Sequence, residues 1–150
     1  MLYGQLLHPE ILEGLASAGH SSKILIADGN YPFLTRCGPL ARRVHLNLSP
    51  GVVSATQALT ALLTAVPVEA AAVMDYPSDG PYALESDPPI WTEFQSILDA
   101  SSSPCGELNR IERFEFYEAA SDSEVALLIA TADQRIFANL LLTIGVVFPS

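Results

Sequence analysis

Two side chains suited to acid–base chemistry lie in the first fifth of the 150-residue chain, His20 and Asp28. An unperturbed imidazole titrates near neutral pH, so histidine suits proton transfer. His20 follows a predicted helix end at Gly19, where it could instead bind the last helix carbonyls. Asp28 follows the apolar run 23–27, at a strand end where α/β sheets bind ligands, although an Asp-Gly pair also forms turns by itself. Each residue therefore has a functional and a structural interpretation.

Two later segments place polar side chains among aromatic ones. The segment 110–118 alternates charged and aromatic residues and contains Arg113 and Tyr117. Its glutamates could make it a solvated ion-pair network, which is commoner than a site. The triplet 137–139 precedes an apolar run, and the amide of Asn139 could bind vicinal hydroxyls or simply begin a strand. Neither segment identifies a site by itself.

Apolar spacing and capping residues predict four helices that would position these side chains. Pro9 near a first turn and Gly19 after a last turn bound the first helix, and Ser49 is the expected cap of the second. The first predicted helix begins at His8-Pro9 and stops at Gly19, and the second begins at 49–51 and runs to about 65. The third and fourth cover 88–100 and 113–120.

Apolar runs bounded by turn residues predict the strands. They cover 23–27, 68–74, 108–111, 125–131 and 140–147, and residues 101–104 are expected to form a loop. Strands that alternate with helices are typical of an α/β layered domain with a largely parallel sheet.

The chain is strongly acidic but has few charges for its size. It has 17 Asp and Glu residues but only 7 Lys and Arg, which gives a net charge of −10. Of all residues, 49% are hydrophobic and 16% are charged. Such a composition excludes a disordered chain and argues against nucleic acid or an anionic membrane as a partner. A small soluble monomer usually carries more surface charge. We therefore infer that other subunits cover part of the surface.

No motif for a metal or a nucleotide cofactor is present in the sequence. Cys37 and Cys105 are far apart with no CxxC spacing, the three histidines share no metal-ligand spacing, and no glycine-rich phosphate loop follows a strand. The first residues do not resemble a signal peptide, and the apolar stretches 61–74 and 140–148 are too short to span a bilayer. We expect a reduced, cytoplasmic protein without a cofactor.

Several segments, in their order and spacing, resemble the RbsD/FucU family, which contains D-ribose pyranases and L-fucose mutarotases. They are 7–15 with Gly19-His20, 26–32 (IADGNYP), 68–71 (VEAA), 113–118 (RFEFYE), and 137–142 (FANLLL) with Gly145-Val146. The resemblance extends nearly end to end. It implies one α/β domain over residues 1–150, in three layers, with a largely parallel sheet flanked by helices.

The resemblance also implies roles for individual residues. His20 would be the proton donor, and Asp28 would bind the sugar and take part in catalysis. Ribose pyranases carry histidine and fucose mutarotases carry arginine at the position of Arg113, so the chain is closer to the fucose branch. The family's Tyr-(Ala/Gly)-Asn triplet keeps Asn139 here but has Phe137 in place of tyrosine. Phe137 would stack on the sugar, while Arg113 and Asn139 would bind hydroxyls.

The implied reaction is exchange between the α and β anomers of a monosaccharide, L-fucose or a similar aldose, which needs one acid and one base and no cofactor. If the missing phenol moved a proton, its loss would cost about 10²–10⁴-fold in rate. If it only bound the sugar, the loss would be about 1 kcal/mol. Tyr31 and Tyr117 could replace it, and Tyr117 counts among the expected sugar-binding residues. The alternatives are a protein of the same fold that binds or senses a monosaccharide without converting it, and a structural subunit with no ligand.

The resemblance finally implies assembly, because family members form closed rings, often decamers, with sites between neighbouring subunits. Phe137 or Asn139 could then complete a neighbour's site. We expect a homo-oligomer, a decameric ring, with a monosaccharide as its ligand.

Overall fold

Helices and strands largely alternate along the chain, as the sequence predicts, although β1 is followed directly by β2 and β5 by β6. The computed structural model describes residues 1–103 and 105–150. The helices of this part of the chain are α1 (Pro9–Ala18), α2 (Ala55–Leu62), α3 (Pro89–Asp99) and α4 (Arg113–Ala120). Its strands are β1 (Lys23–Ala27), β2 (Arg42–His45), β3 (Val68–Met74), β4 (Asn109–Ile111), β5 (Val125–Ala130) and β6 (Leu140–Ile144).

The strands form one mixed sheet in the order β2-β5-β1-β6-β3-β4. β1 and β2 are parallel to β5, and β3 is parallel to β4, whereas β6 is antiparallel to both β1 and β3. β6 is therefore the one reversed strand of a largely parallel sheet. Its beginning lies at the same edge as the carboxyl ends of the other strands.

Side chains that alternate along the strands fill a separate core on each face of the sheet. On β1, Ile24 and Ile26 belong to the larger core, whereas Leu25 and Ala27 belong to the smaller one. Helices α1, α2 and α3 cover the larger core, and α4 covers the smaller core with Phe116. This arrangement confirms the predicted α/β fold of helices on both faces of a sheet.

Strand β2 was not predicted, because its sequence lacks an apolar run. Val44 is its buried residue, while Arg43 and His45 are exposed. The strand lies at the edge of the sheet and is held by parallel pairing with β5. An edge strand with one buried side chain leaves almost no signal in hydrophobic periodicity.

The predicted start of α2 at residues 49–51 is wrong. Those residues form a tight turn, in which the backbone N–H groups and carbonyls of Ser49 and Val52 pair and Gly51 adopts φ +81°. The helix begins at Ala55, after Ser54, whose hydroxyl accepts a hydrogen bond from the Gln57 N–H at 3.2 Å. The side-chain oxygen of Gln57 accepts a hydrogen bond from the Ser54 N–H at 2.9 Å, and the two bonds together form a capping box.

The remaining differences concern element ends. The strand predicted over 140–147 stops at Ile144, and those predicted over 108–111 and 125–131 are each one residue shorter. Helix α2, predicted to run to about 65, ends at Leu62, and α3, predicted over 88–100, covers Pro89–Asp99. The loop predicted over 101–104 includes Pro104, which lies outside the described residues.

Cys37 and Cys105 are both free thiols. Within residues 1–103 and 105–150, no group of three or more His, Cys, Asp or Glu side chains is arranged to hold a metal ion. No helix in this part of the chain has the length and apolar character needed to cross a membrane.

Asp133 joins the loop 131–139, between β5 and β6, to helix α2. Its carboxylate is 2% exposed, accepts the backbone N–H of Ala55 at 2.9 Å and pairs with Arg135 at 2.7 Å. Arg135 also pairs with Glu93 of α3 at 2.7 Å. Burial opposes ionisation of Asp133, but Arg135 and the Ala55 N–H outweigh it and lower the pKa of the carboxyl.

We expect Asp133→Ala to lower the free energy of unfolding by roughly 2–4 kcal/mol, because it leaves a guanidinium and a helix N–H without their partner. Urea denaturation at neutral pH would measure the loss. A depressed pKa stabilises the fold above the unfolded-state value, so the deficit should shrink as pH falls below about 4. Asp79→Ala on an exposed loop is the control, expected within about 0.5 kcal/mol of the parent. A loss as small as that of the control would contradict this role.

Candidate active site

A buried carboxylate and a buried amide face each other where β1 ends and β6 begins. Asp28 and Asn139 are 3% and 5% exposed. The Asp28 backbone N–H donates to Asn139 Oδ1 at 2.8 Å, and Asn139 Nδ2 donates to Asp28 Oδ2 at 3.1 Å. The Asn30 N–H donates to the other carboxyl oxygen at 2.9 Å. The antiparallel register, with Ile26 opposite Leu140, brings the pair together.

Burial raises the pKa of Asp28 to about 6. Backbone N–H groups of Asn30 and Ala138 act in the opposite direction, while the negative charge of Asp133 adds to the rise. A carboxyl group with this pKa exchanges its proton close to physiological pH, which suits a general acid or base.

Asp28 and Asn139 line a cleft of about 380 Å³ at the carboxyl edge of the sheet. This volume lies within the usual range for small-molecule sites. The cleft is also lined by three of the other predicted site residues, Arg113, Tyr117 and Phe137, and by Asn30, Tyr31, Met74, Tyr82 and Ile136. Five of the six predicted site residues therefore meet in one place.

Arg113 presents its positive charge to this cleft. Among the salt bridges of the described residues, none involves Arg113. Its guanidinium lies against the rings of Tyr82 and Tyr117, at 5.2 and 5.8 Å. Glu112, which was a candidate ion-pair partner, instead caps α4 by accepting the N–H groups of Phe114 and Glu115. The N–H donors of Arg113 are thus able to bind ligand hydroxyls.

Phe137 has an unusual backbone conformation that Trp91 stabilises. Its φ is +54°, a left-handed value that bulky residues rarely adopt. The Trp91 indole N–H donates to the Phe137 carbonyl at 2.9 Å, and the ring of Phe137 packs edge-on against Tyr76 at 6.0 Å. These contacts connect α3 and the loop after β3 to the wall of the cleft.

The two tyrosines considered as replacements for the missing phenol differ in their surroundings. Tyr31 is 5% exposed, and its hydroxyl donates to the Arg36 carbonyl at 2.9 Å. Burial raises the pKa of Tyr31 above its ordinary range. The Tyr117 ring lies 5.8 Å from that of Tyr31 and is partly exposed in the cleft. Tyr117 is therefore better placed to meet a ligand.

His20 lies at the opposite edge of the sheet, before the start of β1. The five residues of β1 alone extend about 16 Å at the usual strand rise, so His20 does not reach Asp28 of its own chain. Its Nε2 lies 3.1 Å from Glu69 Oε2, and the two side chains are 52% and 45% exposed. His20 also lines a separate groove of about 480 Å³ that includes Arg42.

Glu69 is the residue of this pair that the sequence did not identify as functional. It is the second residue of β3 and interrupts an otherwise apolar strand. β1 and β3 both run antiparallel to β6, so their amino ends lie at the same edge of the sheet and bring His20 and Glu69 together. A charged residue within an apolar run was the available signal.

We expect Asn139→Asp to place two carboxyl groups side by side and to raise the apparent pKa of the Asp28 site above 6. A raised pKa stabilises the fold fully at low pH, and that stabilisation is lost as pH rises. The free energy of unfolding should therefore fall between pH 5 and 8 by about 1.4 kcal/mol more than in the parent for each unit of added shift. Carboxyl ¹³C titration by NMR and denaturation at both pH values would measure the two effects. Asn47→Asp, which adds the same charge at an exposed position, is the control, and equal behaviour of the two variants would contradict the prediction.

Comparison with known proteins relates this geometry to one family. The chain is 38% identical to the fucose mutarotase of Homo sapiens over 143 residues, which cover 94% of this chain and 90% of that protein. A crystal structure of FucU from Bifidobacterium longum superposes with a TM-score of 0.76 at 30% identity, covering 94% of this chain and 95% of that one. A fucose mutarotase from Streptococcus pneumoniae in complex with L-fucose has the same fold, with a TM-score of 0.82 at 21% identity, covering 99% of this chain and 100% of that one.

The resemblance noted from the sequence segments is thereby confirmed over nearly the whole chain. The model of the RbsD / FucU transport protein family matches residues 1–147. With its reversed β6, its mixed six-stranded sheet and its cleft at residues 28 and 139, the chain belongs to the RbsD/FucU family.

Proposed function

We propose that this chain is a sugar mutarotase that interconverts the α and β anomers of L-fucose or a similar aldose. The observation that carries the proposal is the cleft in which a buried carboxyl with a pKa of about 6, the Asn139 amide and the unpaired Arg113 guanidinium converge. Relatives named fucose mutarotase, at 34–38% identity over most of the chain, support the same reaction.

The reaction needs only proton transfers at two oxygens. The anomeric hydroxyl gives up its proton as the bond between C1 and the ring oxygen breaks, and the ring oxygen takes up a proton to give the open-chain aldehyde. Rotation about the C1–C2 bond and reversal of these steps close the ring on the other face. Asp28, buried and titrating near neutral pH, is suited to hold the proton at the anomeric oxygen.

His20 is the second proton-transfer group of the proposal, and it enters the cleft of a neighbouring subunit. Its exposure and its position at the far edge of the sheet favour this arrangement over action within one chain. Glu69 orients the imidazole through the 3.1 Å contact, as carboxylates commonly do for catalytic histidines. A ring of subunits, the decamer included, follows from this arrangement as part of the proposal.

The other cleft residues bind the sugar. Arg113 and Asn139 donate hydrogen bonds to its hydroxyls, and the Phe137 ring packs on an apolar face of the pyranose. Tyr117 contributes the phenol that Phe137 lacks. The amide of Asn139 also holds Asp28, so it serves both the carboxyl group and the ligand.

The proposal places the protein in the cytoplasm, as one domain over residues 1–150. Free thiols at Cys37 and Cys105 fit a reducing compartment, where disulfides are rare.

Saturation-transfer NMR on L-fucose would test the proposed reaction, with the exchange in buffer subtracted. The excess exchange should fall as pH is lowered through about 6, because Asp28 then becomes protonated. Asp28→Asn should lower it by about 10²–10⁴-fold, and Asp99→Asn, at an exposed position outside the cleft, should not. Absence of excess exchange over a panel of aldoses would overturn the enzymatic proposal. Calorimetric binding of the sugar without exchange would instead establish the alternative, a binding protein of the same fold.

Mixing of inactive subunits would test whether His20 acts across an interface. His20→Ala and Asp28→Asn should each be inactive as homo-oligomers, since every site lacks one group. When the two are unfolded and refolded together in equal amounts, about a quarter of the sites should regain both groups from different chains. Exchange at about that fraction of the parent rate would support the shared site. No recovery in mixed oligomers, verified by mass spectrometry, would contradict it.

A further inference from the structure

Tyr82 is a cleft residue that neither the sequence motifs nor the mechanism uses. Tyr82 lies in the loop 75–88, between β3 and α3, and is 59% exposed. Its ring lies 5.2 Å from the Arg113 guanidinium and forms part of the wall that contains Asp28 and Phe137. Among the described residues its hydroxyl has no hydrogen-bond partner, so the fold does not account for a tyrosine here.

The two ends of the loop 75–88 are tied together by Arg110 of β4. Its guanidinium pairs with Asp75 at 2.7 Å and with Asp87 at 3.0 Å. The same guanidinium lies over the rings of Tyr76 and Trp91, at 5.3 and 4.9 Å. One partly exposed cation on β4 thus ties the beginning and the end of the loop to the same strand.

Further contacts at the base of the loop restrict it in the same way. The Tyr76 hydroxyl donates to Asp87 at 2.8 Å, and its ring stacks on Trp91 at 5.7 Å. Trp91 in turn donates to the Phe137 carbonyl. The base of the loop and the Phe137 wall therefore form one connected structure, and the loop tip places Tyr82 beside Arg113 at the cleft.

The cleft has a polar set of side chains and an apolar set. Asp28, Asn139 and Arg113 supply hydrogen-bonding groups, whereas Met74, Ile136 and Phe137 are apolar. A pyranose likewise has hydroxyls around its edge and C–H groups on its faces. An exposed aromatic ring is suited to pack on such a C–H face, because it offers a large flat contact at little conformational cost.

We propose that Tyr82 is a sugar-contacting residue, whose ring packs on the bound monosaccharide beside Arg113. The proposal rests on the proposed function, since it names one more residue of the same site. In this proposal the loop 75–88 takes part in sugar binding. The ring of Tyr82 makes the contact, and its hydroxyl contributes less.

Saturation-transfer NMR over a range of L-fucose concentrations would test this, together with calorimetric titration of L-fucose. Tyr82→Ala should raise both the half-saturating concentration and the dissociation constant by about 3- to 10-fold, with the maximal exchange rate little changed. Tyr82→Phe keeps the ring and should stay within about two-fold of the parent. Tyr3→Ala, at a fully exposed N-terminal tyrosine, is the matched control.

The outcomes separate the two proposals. An active parent with a Tyr82→Ala variant that equals Tyr3→Ala would overturn the Tyr82 contact alone. An equal loss in Tyr82→Ala and Tyr82→Phe would overturn the contact through the ring. A parent that neither exchanges nor binds L-fucose or any other aldose would overturn the proposed function and the contact with it. Thermal unfolding of each variant checks that the fold is retained.

Discussion

The hydrogen-bonded pair of Asp28 and Asn139 is the interaction on which the rest of the site depends. A carboxyl group that is 3% exposed requires partners, because an unpaired buried charge is strongly unfavourable. The Asn139 amide supplies both a donor and an acceptor, and it can do so because β6 runs opposite to its neighbours. Had β6 been parallel, residue 139 would lie at the other edge of the sheet. The reversed direction of β6 is therefore what allows the Asp28 carboxyl group to be buried with a hydrogen-bond partner.

The loop 131–139 connects this pair to the body of the protein. Asp133 holds the start of the loop against α2, Arg135 extends the contact to α3, and Trp91 fixes the carbonyl of Phe137. These polar contacts join helices on one face of the sheet to a cleft at its edge. Their physical effect is to keep the Phe137 backbone in a conformation that would cost roughly 1–3 kcal/mol without support. A preorganised wall of this kind is what a small ligand with little binding surface requires.

Three of the few basic residues of the chain lie in or beside the candidate site. Of the 7 basic residues, Arg113 lines the cleft, whereas Arg110 and Arg135 organise loops beside it. His20 and Glu69 form an exposed pair at the opposite edge of the sheet. The net charge of −10 has no role in the chemistry of a neutral sugar, and we interpret it as a contribution to solubility.

The sequence by itself determined the helices and buried strands, because hydrophobic periodicity, capping residues and apolar runs are local signals. It also pointed to His20, Asp28, Arg113, Tyr117, Phe137 and Asn139 through a family pattern of motifs. It did not reveal β2, because an edge strand leaves little local signal. It missed the start of α2, because the turn before that helix resembles a helix start. It also missed Glu69 as the partner of His20, because that contact joins strands that are distant in sequence. The tertiary structure alone decided that five of these six side chains share one cleft while His20 lies at the other edge. The physical reason is strand direction, because which edge a residue reaches depends on the orientation of its strand in the sheet.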